Sequence, residues 1–180
     1  MAEYLTHNEH ETEELGRRLA GSLPGGTVVA MYGDLGAGKT AFVRGMARGM
    51  GLDCRVSSPT FTIVNEYLGA RELIHFDMYR LSGADELFDI GWEDYLSRGA
   101  VCAVEWSENV QDAFFGDEIR VTIEKLSDTD RKITIEGADM FQPPDTMPTT
   151  ALSTMRMPKI EQIVQITSRK MSARSKNCFT

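Results

Sequence analysis

Residues 33–40 read GDLGAGKT, an instance of the pattern G-x-x-x-x-G-K-[ST]. The preceding segment, 27–32, is short, rich in β-branched residues and almost entirely apolar, which predicts a strand buried on both faces. The following residues, 39 to about 50, repeat apolar side chains at helical spacing and end at Gly51. A strand, a glycine-rich loop and a helix in this order predict a phosphate-binding loop, or P-loop, in an α/β domain.

The loop supplies several kinds of phosphate-binding group. Its glycines allow backbone angles that a Cβ would prevent, so N–H groups from about Leu35 to Thr40 can turn toward phosphate oxygens at the positive end of the helix. Lys39, which we also predict to be catalytic, is expected to reach the β- and γ-phosphate oxygens, and the Thr40 hydroxyl to bind Mg²⁺. The predicted nucleotide-binding residues here are Gly33, Asp34, Leu35, Gly36, Ala37, Gly38, Lys39, Thr40 and Ala41.

A P-loop needs a carboxylate at the end of a nearby strand, either to bind the metal or to order the attacking water. Two candidates compete: the apolar run 73–77 ends in Asp77 and the run 101–105 ends in Glu105. The second run fits a buried strand better, because the four residues before its acid are all apolar. From the residues alone, which of the two binds the metal stays open.

The rest of residues 1–140 predicts alternating helices and strands. The predicted elements are a first helix with Thr12 as its N-cap and Pro24 after its end, strands at 61–68 and 72–79, short helices within 84–98 broken at Gly91, a buried strand at 100–105, and an antiparallel hairpin at 119–125 and 132–136. We therefore predict a P-loop NTPase-like three-layer α/β sandwich, with a mostly parallel central sheet and a closing antiparallel hairpin.

Charge separates the chain into an acidic body and a basic tail. Of the 180 residues, 42% are hydrophobic, and the net charge is −8. Residues 1–140 hold 13 Lys and Arg against 25 Asp and Glu, whereas residues 141–180 hold 6 against 2. Nucleic-acid affinity comes mostly from Lys and Arg at phosphates, so we expect a partner to hold any RNA.

Residues 141–180 contain four of the six prolines and ten Ser and Thr, and we predict a flexible tail with one short helix near 159–170. No apolar run approaches the ~20 residues of a membrane span, and no signal-peptide pattern opens the chain. These features predict a cytoplasmic protein with no membrane contact. The three cysteines have no metal-site or redox spacing, and Cys102 is expected in the core.

The nucleotide is predicted to be ATP or ADP. Guanine-specific P-loop proteins usually carry N-K-x-D, whose Asp accepts hydrogen bonds from the base, and this tetrapeptide does not occur here. The length argues against a protein of the AAA type, because it leaves no room for the extra helical lid domain.

Five segments together resemble one bacterial family. They are GDLGAGKT at 33–40, SPTFTIVNEY at 58–67, HFDMYRL at 75–81, DYL at 94–96 and VEWSE at 104–108. In this order they are similar to the TsaE (YjeE) ATPases, which support the synthesis of threonylcarbamoyladenosine in tRNA. The resemblance covers about residues 10–138, and not the tail.

The resemblance implies roles for the matched residues. Lys39 and Thr40 would bind phosphate and Mg²⁺, Glu105 would complete the metal site, and Asp77 would act beside the γ-phosphate. Residues 58–60 would form a switch-like segment that senses the γ-phosphate, Trp106 would lie close to the nucleotide, and Arg131 near the base or ribose. The nucleotide-binding residues that it adds are Ser58, Thr60, Trp106 and Arg131. A packing role explains the presence of His75 on its strand as well as a chemical role does.

The resemblance also implies partners. The family hydrolyses ATP in a complex with the TsaD and TsaB proteins, which transfer the threonylcarbamoyl group to adenosine of tRNA. A member would perform no transfer itself, would meet tRNA only indirectly, and would hydrolyse ATP weakly until its partners stimulate it.

Two other functions use the same residues. In a small-molecule kinase, the P-loop and strand carboxylates would transfer phosphate to an acceptor other than water. Such kinases usually have a lid with several arginines, but the predominantly acidic stretch 78–99 offers only Arg80 and Arg98. In a nucleotide-dependent binding module, hydrolysis would be only a timer, and turnover with and without partners would distinguish it.

Overall fold

The computed structural model describes residues 1–138. In chain order the elements are β1 (Ala2–Thr6), α1 (Glu9–Ser22), β2 (Val28–Tyr32), α2 (Lys39–Gly49), β3 (Val64–Tyr67), β4 (Leu73–Asp77), α3 (Ala84–Asp89), α4 (Trp92–Ser97), β5 (Val101–Glu105), a 3₁₀ segment (Ser107–Ala113), β6 (Ile119–Lys125) and β7 (Arg131–Glu136). The predicted tail at 141–180 and its short helix lie outside the described residues.

The strands form one sheet in the order β1-β7-β6-β2-β5-β4-β3. The four central strands, β6, β2, β5 and β4, pair in parallel. The pairs at both edges are antiparallel, and they include the predicted hairpin of β6 and β7. The predicted parallel centre and the predicted closing hairpin are confirmed, but the antiparallel pairs β1–β7 and β3–β4 make the whole sheet less parallel than expected. The turns that join β3 to β4 and β6 to β7 are too short for the crossover that a parallel pair needs.

The predicted three layers are confirmed. Helices α1 and α2 pack with one face of the sheet into a core that includes Leu19, Phe42 and Met46. On the other face, α3, α4 and the 3₁₀ segment surround the fully buried Trp92, whose ring meets Phe76 edge-on at 5.1 Å. Every residue of β4 and β5 is buried, as expected for strands covered on both sides.

The structure also bears on a cysteine of β5 and on the length of the helices. Cys102 is fully buried, as predicted, and burial raises the pKa of its thiol to about 12. None of the helices in residues 1–138 has the length and apolar character needed to cross a membrane.

The start of the chain differs from the prediction. Strand β1 was not predicted; it forms the sheet edge by pairing with β7. The first helix begins at Glu9 rather than after Thr12, because the Asn8 side chain accepts the Glu11 N–H at 2.9 Å and caps it. Thr12 instead lies inside the first turn, where its hydroxyl is 2.9 Å from the hydroxyl of Thr6.

Glycines allow α1 and α2 to approach closely. A Cβ on Gly45 would lie far inside contact distance of the Glu13 carbonyl oxygen, and one on Gly16 would meet the Phe42 carbonyl in the same way. Since backbone atoms cannot move aside as a side chain can, these contacts fix the distance between the helices. Helix α2 begins at the P-loop, so this packing also positions the loop.

We expect Gly45→Ala to lower the free energy of unfolding by about 3 kcal/mol, because the added methyl group must push the two helix backbones apart. Gly21→Ala is the matched control, since a Cβ there lies 4.0 Å from its nearest neighbour in the same helix pair. That change should be neutral or stabilise by up to ~1 kcal/mol through helix propensity. Urea denaturation measures both, and equal stabilities for the two variants would contradict the packing argument.

Candidate nucleotide-binding site

A cleft of about 710 Å³ lies where α2 begins and where β4 and β5 end. Parallel strands of an open α/β sheet bring their carboxyl ends to one edge, which is the usual ligand position in such folds. The P-loop forms one wall of this cleft, and side chains from the ends of β4 and β5 form its floor.

The P-loop has the backbone that its glycines predict. Gly33 has φ of 138°, and a Cβ there would collide with the Ile123 carbonyl oxygen of β6. Gly38 has φ of 113° and precedes α2 with no side-chain cap. The first N–H groups of α2 therefore have no intrahelical acceptor, and they present the positive end of the helix dipole.

The Lys39 side chain folds back onto the start of the P-loop. The residue is only 4% exposed, and its Nζ donates to the Gly33 carbonyl and, at 3.1 Å, to the Asp34 carbonyl. The Nζ also lies 3.7 Å from the centroid of the Trp106 ring. Burial lowers the pKa of the ammonium, an effect opposed by nearby carboxylates, of which Glu105 is the strongest.

Trp106 adopts a left-handed backbone, with φ of 59°, between β5 and the 3₁₀ segment. This conformation is uncommon for a residue with a bulky side chain and indicates that the surroundings enforce it. Its ring also packs against Tyr79, with 4.9 Å between ring centroids. Trp106, which was predicted to lie close to the nucleotide, contacts the P-loop lysine through its ring.

Thr40 and Glu105 meet at the base of the cleft. The Thr40 hydroxyl donates to Glu105 Oε1 at 2.8 Å, and Glu105 is 3% exposed. His75 Nε2 lies 2.8 Å from the same Oε1. Hydroxyl and carboxylate oxygens are the ligands that Mg²⁺ prefers, so the donor set of Thr40 and Glu105 fits this ion.

The contact between His75 and Glu105 was not expected from the sequence, where packing alone was enough to explain His75. The ring is fully buried, and its Nδ1 has no hydrogen-bond partner among the described residues. The alternation of β4 places His75 and Asp77 on one face of the strand, but the link to Glu105 also requires the position of the neighbouring strand. In the register of β4 and β5, Asp77 pairs with Glu105, so that face points at the carboxylate.

Asp77 is bound by the segment that precedes β3. Its Oδ2 accepts hydrogen bonds from the Ser58 hydroxyl at 2.6 Å and the Thr60 hydroxyl at 2.9 Å. Its Oδ1 accepts the Tyr79 N–H at 3.0 Å. The two candidate carboxylates therefore have different neighbours: Glu105 meets the P-loop threonine, whereas Asp77 meets the hydroxyls of residues 58–60.

The family model described as "Threonylcarbamoyl adenosine biosynthesis protein TsaE" matches residues 6–133. The chain belongs to the TsaE family. The family predicted from the five segments is thus confirmed, and the match covers the P-loop, both carboxylate strands, the β6–β7 turn and the start of β7.

TsaE proteins from several bacteria are similar to this chain. The tRNA threonylcarbamoyladenosine biosynthesis protein TsaE of Bacillus subtilis is 38% identical over 132 residues, covering 73% of this chain and 82% of the relative. The protein of that name from Treponema pallidum is 35% identical over 131 residues, covering 73% and 97%. The crystal structure of Bacillus subtilis YdiB matches with a TM-score of 0.66 and 27% identity, covering 94% of this chain and 95% of that one.

The cleft of this TsaE family member includes most of the predicted nucleotide-binding, metal and catalytic residues. Those that line it are Leu35, Gly36, Ala37, Gly38, Lys39, Thr40, Ala41, Ser58, Thr60, Asp77, Glu105, Trp106 and Arg131. Gly33 and Asp34 are not in the lining; their carbonyls accept from Lys39 instead. Sequence reasoning did not identify the remaining lining residues, which are Asn8, Glu9, Thr12, Arg44, Tyr79, Asp128 and Thr129.

Proposed function

We propose that this protein binds ATP with Mg²⁺ in the cleft and hydrolyses it, as an accessory to tRNA threonylcarbamoyladenosine synthesis. The observation that carries the proposal is the Thr40–Glu105 hydrogen bond at the base of a complete P-loop. It joins the hydroxyl at the start of α2 to the carboxylate at the end of β5, as a P-loop NTPase needs for its metal.

Thr40 and Glu105 would hold the Mg²⁺, with nucleotide oxygens and water completing its coordination. When bound, the ion supplies positive charge that offsets the charge of the β- and γ-phosphates. The N–H groups around Gly38 would donate hydrogen bonds to phosphate oxygens. Lys39 lies 3.7 Å from the Trp106 ring centroid, and its ammonium would turn from the loop carbonyls to the phosphate oxygens.

Asp77 would order the attacking water rather than bind the metal directly. Its carboxylate is held by the hydroxyls of Ser58 and Thr60, and Glu105 already meets the P-loop threonine. A carboxylate held by three hydrogen bonds has a fixed direction, which is what positioning a water molecule requires. Residues 58–60 would respond to the γ-phosphate through this same carboxylate.

The partners would be the TsaD and TsaB proteins, which we propose meet this chain as proteins while tRNA is met only indirectly. The net charge of −12 over residues 1–140 supports this, since an acidic body is a poor match for a phosphate backbone. We also propose that the protein acts in the cytoplasm.

The test measures phosphate release from ATP by the purified chain, alone and with cognate TsaD and TsaB, with Mg²⁺ or with EDTA. We expect turnover that requires Mg²⁺ and rises when both partners are present. Phosphate release without any small-molecule acceptor would exclude the kinase alternative. Calorimetric titration with ADP, ATP and GTP accompanies it: a lack of ATP and ADP binding would overturn the proposal, and equal affinity for GTP would overturn the choice of nucleotide.

A further inference from the structure

Arg131 begins β7, and its guanidinium bridges the β6–β7 turn and the P-loop. On the P-loop side, Nε donates to the Ala37 carbonyl at 2.8 Å and Nη2 to the Gly36 carbonyl at 3.3 Å. On the turn side, Nη1 donates to carbonyl oxygens of the hairpin turn: Ser127 at 2.9 Å, Asp130 at 3.0 Å and Asp128 at 3.4 Å. All three nitrogens of the guanidinium are thus engaged with backbone carbonyls.

The bond to Ala37 sets the direction of a phosphate-binding group. The carbonyl of Ala37 and the N–H of Gly38 belong to one planar peptide unit, and there is no cis peptide bond among the described residues. In a trans unit these two groups point in opposite directions. Because the carbonyl points at Arg131, the Gly38 N–H points away from it.

Local contacts restrain the Gly36 side of Ala37: its N–H donates to the Asp34 carbonyl at 3.1 Å, and its side chain is buried. Gly36 and Gly38 flank Ala37, and both adopt positive φ, 75° and 113°, in a region that glycine enters and leaves without steric cost. A Cβ on Gly36 would have no neighbour within 4 Å. Rotation of the Ala37–Gly38 peptide unit changes ψ of Ala37 and φ of Gly38, and the hydrogen bond from Arg131 to the Ala37 carbonyl opposes that rotation directly.

We propose that Arg131 is a positioning residue for the phosphate cradle: it holds the carbonyls of Gly36 and Ala37 outward so that the Gly38 N–H faces the phosphates. The inference rests on the proposed function, since it needs a nucleotide in this cleft. It differs from a contact with the base or ribose in one respect that can be measured. A positioned cradle affects every ligand with a polyphosphate, whatever nucleoside it carries.

The residue type supports the proposal. Arginine has a planar fork with five N–H donors and can reach two successive P-loop carbonyls and a turn at once. Lysine keeps the charge but has a single nitrogen, so it can bind one side of this bridge and must release the other. Arg131→Lys therefore separates the fork from the charge.

The experiment measures the dissociation constants of ADP and of inorganic tripolyphosphate, both with Mg²⁺, for the full chain and for Arg131→Lys. Tripolyphosphate is titrated in competition with ADP. We expect Arg131→Lys to weaken both ligands by the same factor, about tenfold or more. The matched control is Arg98→Lys, which makes the same change in an exposed fork that binds Glu66 and Glu72, and it should leave both constants within about twofold.

A second measurement is hydrogen exchange without nucleotide, in which Arg131→Lys should raise the exchange rate of the amides at 36–38 while the melting temperature stays near that of the parent. Weaker ADP binding with unchanged tripolyphosphate binding would assign Arg131 to the nucleoside and overturn the proposal. Unchanged constants for both ligands would overturn it as well, and so would a failure of tripolyphosphate to displace ADP. If the parent chain bound neither ligand, the proposed function itself would fail.

Discussion

Asp77→Asn should leave ATP affinity within a few-fold and lower the rate of ATP hydrolysis by ~10²–10⁴, the range for loss of a positioned acid–base group. The change removes the negative charge and keeps the shape. The rate is measured as phosphate release with TsaD and TsaB present, at saturating ATP and Mg²⁺. Affinity is measured separately by calorimetry, so that binding and turnover are not confused.

The contacts of Asp77 indicate that the fold tolerates this change. An asparagine oxygen can still accept the Tyr79 N–H, which lies 3.0 Å from Oδ1. The hydroxyls of Ser58 and Thr60, which now donate to Oδ2, can rotate and accept from the amide nitrogen instead. The change alters only the charge and the hydrogen-bonding groups that the side chain presents to the attacking water. We therefore expect it to lower the rate of hydrolysis and not the affinity for ATP.

Asp128→Asn is the matched control, because Asp128 also lines the cleft but is exposed on the β6–β7 turn. It should leave both affinity and rate within about twofold. Normal turnover by Asp77→Asn in the presence of the partners would end the catalytic assignment. Glu105→Gln should behave differently from both, by weakening the dependence of binding on Mg²⁺.

Much of the fold could be predicted because its central elements carry local signals. The runs before Asp77 and Glu105 are apolar, and the segment at 33–40 fixes the order of strand, loop and helix. Strand β1 has no such signal. It is an edge strand whose partner, β7, lies at the other end of the described residues, so its register of Ala2 with Ile135 depends on a contact that local pattern does not encode.

The candidate site divides in the same way. The P-loop residues and the competing acids were found because each follows from a short motif or a strand end. The link from His75 to Glu105 depends on strand register, and it could have been proposed only after β4 was placed beside β5. The bonds from Arg131 to the P-loop depend on where two carbonyls point, which residue type does not specify.

The family resemblance and the hydrogen bonds favour the same division of roles between the two acids. The resemblance gave Glu105 to the metal and Asp77 to the γ-phosphate, whereas the strands alone left the choice open. The hydrogen bonds supply a physical reason for the same division, because the Thr40 hydroxyl donates to Glu105 and the 58–60 hydroxyls donate to Asp77. A Mg²⁺-bound structure with Asp77 as the direct ligand would reverse the proposal.

Lys39→Ala should weaken ATP binding at least about 100-fold, with Mg²⁺ or with EDTA. The ammonium is the one positive side-chain group that the P-loop segment 33–40 contains, and it is 4% exposed, so water screens it little. Several charge-assisted hydrogen bonds to phosphate oxygens would be lost with it, each contributing about 1.5–3 kcal/mol. Calorimetric titration in both buffers gives the two dissociation constants.

Thr40→Ala is the adjacent control that separates charge from metal. Its hydroxyl donates to Glu105 at 2.8 Å and would bind the ion, so its loss should weaken ATP binding with Mg²⁺ and leave binding in EDTA within about twofold. Lys39→Ala should lose affinity equally in both buffers, because its charge acts on phosphate directly. Equal losses for Thr40→Ala in the two buffers would remove the hydroxyl from the metal site. A Lys39→Ala variant that kept its ATP affinity while folded, as judged by its unfolding midpoint, would show that this cleft binds no triphosphate through its P-loop lysine.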